Sequence, residues 1–181
     1  LKSSHLKVEL WDWTKAIFIA LVLAWVVKTF IFAPYTVKGE SMEPTLHDHE
    51  RIAVNKITQT EKLKHGDIVI IKGSGKTNYV KRIIGFPGDT VEVDNDKLLI
   101  NGKQVKEPYL KENMEEAKNS GGLLTGDMGP IVIPEKHYFV MGDNRRMSMD
   151  SRNGLGLISQ DRLVGRSELV FFPFSSLRSV K

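Results

Sequence analysis

The sequence predicts a mainly β fold, an antiparallel β domain preceded by one N-terminal apolar helix. Three observations predict it. Beyond Pro34 the apolar residues fall in short, β-branched runs separated by turn chemistry. No alternation of strand-like and helix-like patterns appears, which argues against a parallel sheet. One stretch near the N-terminus, Ala16 to Ala33, is far more apolar than any other. The 181 residues suit one domain of roughly 150 residues plus an appendage. A hydrophobic fraction of 41% beside 27% charged residues is enough to bury a core, so wholesale disorder is excluded. Cysteine is absent, which removes disulfides, zinc ribbons and thiol catalysis without fixing the compartment. Lys and Arg number 26 against 22 Asp and Glu and the signs alternate along the chain, so charge does not indicate a nucleic-acid partner.

The N-terminal stretch reads AIFIALVLAWVVKTFIFA, with Lys28 its single charge. Together with Trp11, Trp13 and Tyr35 at its ends, it has the length of about 20 helical residues that a ~30 Å hydrocarbon layer requires, with aromatics at both interfaces. Lys28 lies near one end and can extend its ammonium to the headgroups along its aliphatic stem. Lys2, Lys7 and Lys15 precede the segment and Lys38 follows it, which orients the N-terminus to the cytoplasm. Residues 1–33 thus read as a short cytoplasmic tail and single transmembrane anchor in a lipid bilayer. Residues 34–181 read as an extracytoplasmic domain. A cleaved secretory signal and a buried helix of a soluble protein are the alternatives. Against cleavage, Ile31-Phe32-Ala33 has no small first residue and Pro34 follows it.

The strands follow in order. Residues 51–54, 67–71, 79–84, 90–93 and 97–100 form the first group, and 131–133, 137–141, 163–165 and 168–172 the second. Phe86-Pro87-Gly88-Asp89 predicts a type II turn, and Asn101-Gly102 predicts a two-residue hairpin loop. Residues 106–130, KEPYLKENMEEAKNSGGLLTGDMGP, are polar and glycine-bearing and read as a mobile, solvated excursion with a short helix around Glu112 to Lys118.

Chemistry concentrates in three places. Ser41 follows an alternating stretch and precedes Pro44, which puts it at a strand end, where it needs a base to become a nucleophile. The five histidines have no companions that suggest a triad, and His47-Asp48-His49 lacks further ligands at metal-site spacing. A lysine is the alternative base. Lys81 lies in an otherwise apolar strand, on one face with Tyr79 and Ile83. Burial disfavours its ammonium, and a fall of roughly 2–3 pKa units costs roughly 3–4 kcal/mol, within the range of buried lysines. The third place, residues 141–152, packs Asp143, Arg145, Ser148, Asp150 and Arg152 into one loop and suggests a hydrogen-bonded network. Ser41 also lies nine residues from Phe32, at most about 30 Å of extended chain, so the site belongs close to the bilayer.

SMEPTL at 41–46, YVKRIIGFPGD at 79–89, and GDNR with SMDSR at 142–152, behind one N-terminal anchor, resemble bacterial type I signal peptidases over nearly the whole chain. The 40-residue separation of Ser41 and Lys81 belongs to that pattern. The resemblance implies a membrane-bound serine endopeptidase in the plasma membrane that removes signal peptides from exported preproteins at small-x-small sites. It needs no cofactor or metal, and it meets the export machinery. Ser41 matches the nucleophile, Lys81 the general base and Ser148 the hydroxyl that orients the lysine. Arg82, Asp143, Arg145, Asp150 and Arg152 match the polar scaffold. Val37, Met42, Leu46, Tyr79 and Val80 match positions that line the substrate clefts. Gly39 stands where some members carry a serine that binds the oxyanion, and Met147 where asparagine is frequent. Two other readings remain at this level. A Ser/Lys autoprotease would carry a DNA-binding domain that residues 1–33 do not resemble. A membrane-tethered, non-catalytic binding domain would have no reason to bury Lys81.

Overall fold

The computed structural model describes residues 2–26, 32–56, 60–75 and 77–180. Helix α1, Lys2–Val26, takes up the first part of the apolar segment. Among the described residues no helix is long and apolar enough to cross a membrane. One continuous helical span from Ala16 to Ala33 needs correction at its far end. Strand β1, Phe32–Thr36, already contains Ala33 and pairs with β2, Arg51–Asn55. Pro34 is the reason, because it lacks an N–H and disfavours helical geometry in the residue before it. An edge strand tolerates it. Residues 27–31 of the expected span lie outside the described residues.

The chain continues through β3, Ile68–Lys72, β4, Asn78–Gly85, β5, Thr90–Asp94, β6, Lys97–Ile100, and β7, Lys103–Gln104. After helix α2, Lys111–Asn119, come β8, Met128–Val132, β9, His137–Met141, β10, Ile158–Ser159, β11, Leu163–Phe172, and β12, Arg178–Ser179. Described residues form an eight-stranded sheet in the order β1-β2-β11-β3-β4-β9-β10, with β12 on β11, and a four-stranded sheet in the order β7-β6-β5-β8. The strand pairings are antiparallel, as the absence of crossover patterning requires.

Both predicted turns form. Gly88 has φ +85° and the Asp89 N–H donates to the Phe86 carbonyl at 3.0 Å. Asn101 and Gly102 both take positive φ between β6 and β7, the geometry of the tight hairpin turn. The two runs expected at 163–165 and 168–172 are one strand, β11, which pairs with β3 at its start and β2 at its end. Register shifts flank the polar Arg166-Ser167 pair, between Leu163 and Gly165 against β3 and between Ser167 and Leu169 against β2.

Period-2 alternation in β4 separates two cores. Tyr79 and Ile83 pack with Val69, Ile71, Tyr138 and Val140, while Val80 packs with Val37, Met42, Ile68 and Ile70. A third cluster joins the sheets, with Ile84, Phe139 and Met141 from the large sheet against Val91, Val93, Leu98 and Ile100 from the small one. The excursion at 106–130 is not the solvated segment its composition suggests. Leu110, Ala117 and Leu124 are buried together, with Tyr109 and Met114 against them. The Asp96 carboxylate accepts hydrogen bonds from the N–H groups of Leu124, Thr125 and Gly126 at 2.7 to 3.0 Å. Leu110→Ala is therefore expected to cost at least about 2 kcal/mol in denaturant unfolding. Amide exchange over residues 107–126 should accelerate with it, whereas an unpacked loop would show neither effect.

Candidate active site

The nucleophile candidate lies in a tight turn. The Glu43 N–H donates to the Glu40 carbonyl at 3.1 Å, and the Leu46 N–H donates to the Met42 carbonyl at 2.9 Å. Gly39 enters this turn at φ +83°, a conformation that costs a serine side chain more than glycine, and its N–H donates to Asp48 at 2.9 Å. Asp48, singled out beside His47 and His49, thus serves as a cap for the turn. Its far end is held by buried Glu50, which accepts from the His47 N–H at 3.0 Å and pairs with Arg178 at 2.7 Å. Arg178 also donates to the Thr45 carbonyl at 2.7 Å.

Lys81 comes from β4 and is 3% exposed. Its Nζ lies 2.7 Å from Ser41 Oγ. Burial lowers its pKa from 10.5 to about 8, a fall opposed by the carboxylates of Asp150 and Asp143. At that value an appreciable neutral fraction exists near neutral pH, and a neutral amine can accept the serine proton.

The neighbouring Arg82 is 1% exposed and donates through Nε and Nη2 to both oxygens of Asp143, at 2.9 and 2.6 Å. It also reaches the Gly66 carbonyl at 2.6 Å and stacks on the Tyr109 ring at 3.8 Å. Asp150 accepts from the Gly142 N–H at 2.9 Å and from Arg152 Nε and Nη2 at 2.9 and 2.8 Å. Burial works against its charge, yet these donors hold its carboxyl below the ordinary range. Arg145 donates to the Gly142 carbonyl at 3.1 Å, to Thr125 at 3.1 Å and to Glu107. Gly142 is tightly enclosed by the Ser41 backbone and the Ser148 side chain, so the loop lies directly on the Ser41 turn. The Asn144 N–H donates to the Ser41 carbonyl at 3.1 Å.

Ser148 is buried, but among the described residues its Oγ makes no well-aligned hydrogen bond, to Lys81 or to any other group. It lies near enough to Asp150 to help hold that carboxyl down. Val37, Met42, Tyr79 and Val80 line a cavity of about 390 Å³ that opens at Ser41 and Lys81. A second cavity of about 430 Å³ adjoins Ser41 and Lys81 between Glu40 and Asp48 on one side and the exposed Met147 and Met149 on the other. Leu46 departs from the expectation. Its side chain is fully buried in the core with Val37, Met42 and Ile52 and lines neither cavity, because the bond from its N–H to Met42 turns it inward.

Residues 106–130 supply partners that sequence reasoning missed. Glu107 and Thr125 bind Arg145, Tyr109 covers Arg82, and Asn113 contacts both site loops. The spacing Leu110, Met114, Ala117 was the available signal, since positions four and seven apart share one helix face.

The chain is similar to known proteins over most of its length. The model of the family described as signal peptidase, peptidase S26, matches residues 10–172. Signal peptidase I of Bacillus licheniformis is 57% identical over 179 residues, covering 98% of this chain and 96% of that protein. Signal peptidase I T of Bacillus subtilis strain 168 is 58% identical over 172 residues, covering 94% of this chain and 89% of that protein. Among solved structures, the crystal structure of a signal peptidase I from Enterococcus faecalis V583 superposes with a TM-score of 0.53 at 34% identity, covering 58% of this chain and 96% of that one. Likeness of this extent makes the chain a serine endopeptidase that belongs to the signal peptidase family, peptidase S26.

Proposed function

We propose that Ser41 is the nucleophile and Lys81 the general base of this peptidase, and that the reaction they carry out is removal of N-terminal signal peptides from exported preproteins. The observation that carries the roles is the 2.7 Å contact between a serine hydroxyl and a buried lysine amine. Neutral Lys81 accepts the Ser41 proton as Oγ attacks the scissile carbonyl carbon. In this reading the Ser41 N–H serves as a donor to the oxyanion, with Gly39 offering no side-chain donor. Collapse of the tetrahedral intermediate breaks the C–N bond, and Lys81 returns the proton to the departing amine of the mature chain. An ester remains on Ser41. Lys81 then takes a proton from water, whose oxygen attacks the ester carbonyl; the C–Oγ bond breaks, Lys81 returns that proton to Ser41, and the signal peptide leaves as a carboxylic acid that ionises in water.

The apolar walls Val37, Met42, Tyr79 and Val80 suit small side chains beside the scissile bond, in line with small-x-small cleavage sites. Arg82, Asp143, Arg145, Asp150 and Arg152 keep the loops in place without touching the reacting atoms, and Ser148 is available to orient Lys81 once substrate is bound. Residues 1–33 are assigned to the cytoplasmic tail and membrane anchor and 34–181 to an extracytoplasmic domain. This topology rests on the apolar run and on the lysines that precede it. With the site near the bilayer, it can meet a membrane-embedded signal peptide delivered by the export machinery.

Ser41→Ala and Lys81→Met are each expected to lower preprotein cleavage by more than about 1,000-fold while remaining folded. Sequencing the product N-terminus places the cut after a small-x-small site in the parent. Activity of either variant near the parental level would remove the dyad assignment.

Cleavage should rise with pH through about 8 as Lys81 loses its proton. Stability carries the matching sign. The folded-state pKa lies below the unfolded value of 10.5, so the cost of burying the ammonium is fully present below pH 8 and is relieved as pH rises towards 10.5. Lys81→Met is thus expected to stabilise the protein by about 1–3 kcal/mol at pH 7, a gain that shrinks at alkaline pH. Urea unfolding at both pH values checks this.

A further inference from the structure

We propose that Asn113 is a positioning residue for the Ser41 nucleophile, its side-chain amide clamping the serine-bearing turn to the loop that carries Asp143. The inference rests on the Ser41–Lys81 reading above. Asn113 lies on α2, within the excursion that composition alone marks as solvent-facing. Its Nδ2 donates to the Glu43 carbonyl at 3.1 Å and to the Asp143 carbonyl at 3.0 Å. Both acceptors are main-chain oxygens, so the orientation of the amide is set by chemistry: the oxygen end would face two acceptors.

Each acceptor has a direct link to the dyad. Glu43 is two residues beyond Ser41 in the same closed turn. Asp143 holds Arg82, which follows Lys81 in β4. One side chain therefore sets the distance between the turn that carries the nucleophile and the framework that carries the base. The Asn144 N–H to Ser41 carbonyl bond is the sole backbone tie between the same two loops among the described residues. That bond can hinge, and the amide, placed two residues further along the turn, supplies a second point of attachment. Two points of attachment define an orientation where one does not.

The helix that presents Asn113 is anchored by other residues, Leu110, Ala117 and Met114, packed with Leu124. Loss of the amide should accordingly leave α2 in place and release the turn. A displacement of the nucleophile of order 1 Å is enough to lower the chemical step by about 100-fold, while binding along the apolar cleft, whose walls Tyr79 and Val80 lie on β4, is less affected.

The test uses the full chain in detergent micelles with a preprotein substrate. Asn113→Ala is expected to lower kcat by about 10- to 100-fold with KM within about twofold of the parent. Met114→Ala, which loosens the same helix without touching either carbonyl, serves as the stability-matched control and should keep kcat within about twofold despite a lower Tm. Asn113→Gln keeps the amide one methylene further out and is read by the same criteria, so it carries the test if the alanine variant does not fold. Parental kcat in the Asn113 variants would overturn the proposal. So would a loss of kcat in Met114→Ala that tracks Tm as closely as in Asn113→Ala, because Asn113 would then act through the fold alone. Ser41→Ala in the same assay separates the two levels: if it is inactive while Asn113→Ala is unimpaired, the clamp fails and the dyad stands. If Ser41→Ala is itself active, both fail.

Discussion

Desolvation of the Lys81 amine is the interaction on which the rest of this site depends. In water a lysine side chain is protonated at neutral pH and useless as a base. Here β4 carries it between Val69 of β3 and the Ser41 turn, where it is 3% exposed and its pKa falls to about 8. The fold bears that cost at every pH at which the amine stays charged. Two nearby carboxylates limit the fall, so the same loop that encloses the site also sets how basic the amine remains. A wetter position would leave the lysine protonated. A position without Asp143 and Asp150 would depress its pKa further and weaken it as a proton acceptor.

Three buried ion pairs surround this amine, and stability is not their main contribution. Arg82 with Asp143 and Arg145 with Glu107 are nearly inaccessible to water, and Arg152, whose side chain is 13% exposed, pairs with a fully buried Asp150. For such pairs the loss of hydration largely offsets the Coulombic attraction, so apolar residues of similar size would serve folding about as well. What the pairs contribute is direction. Arg82 has neighbours in four segments, namely Thr45, Gly66, Tyr109 and Asp143, and it can satisfy them together in one arrangement of those segments. Arg152 and Arg145 do the same within residues 142–152, linking Gly142, Asp150 and the Arg145 carbonyl. Loops without regular secondary structure thereby hold a geometry normally expected of strands.

The legible part of the site was what depends on local pattern. Lys81 could be placed on one face of a strand because alternation sets side-chain direction, and Tyr79 and Ile83 do share its side. Gly88 and the Asn101-Gly102 pair announced turns because positive φ has few other occupants. Leu46 was misjudged because position in a motif says which residues are near the cleft but not which way a closed turn aims each one. Glu107, Tyr109, Asn113 and Thr125 were passed over because a polar composition describes a segment facing water and one facing a charged loop equally well.

By itself the sequence determined the antiparallel strand content, the turn positions, the apolar character of residues 16–33 and the serine and lysine types that the proposed chemistry uses. Each of these follows from neighbours within a few residues, where sterics and periodicity act. Only the tertiary structure decided that Ser41 and Lys81, 40 residues apart, stand 2.7 Å from one another. It also decided that the amine is dry and that residues 107–125 fold back to hold the loops around it. Those outcomes depend on which surfaces exclude water together, and burial belongs to the assembled chain and to no segment of it.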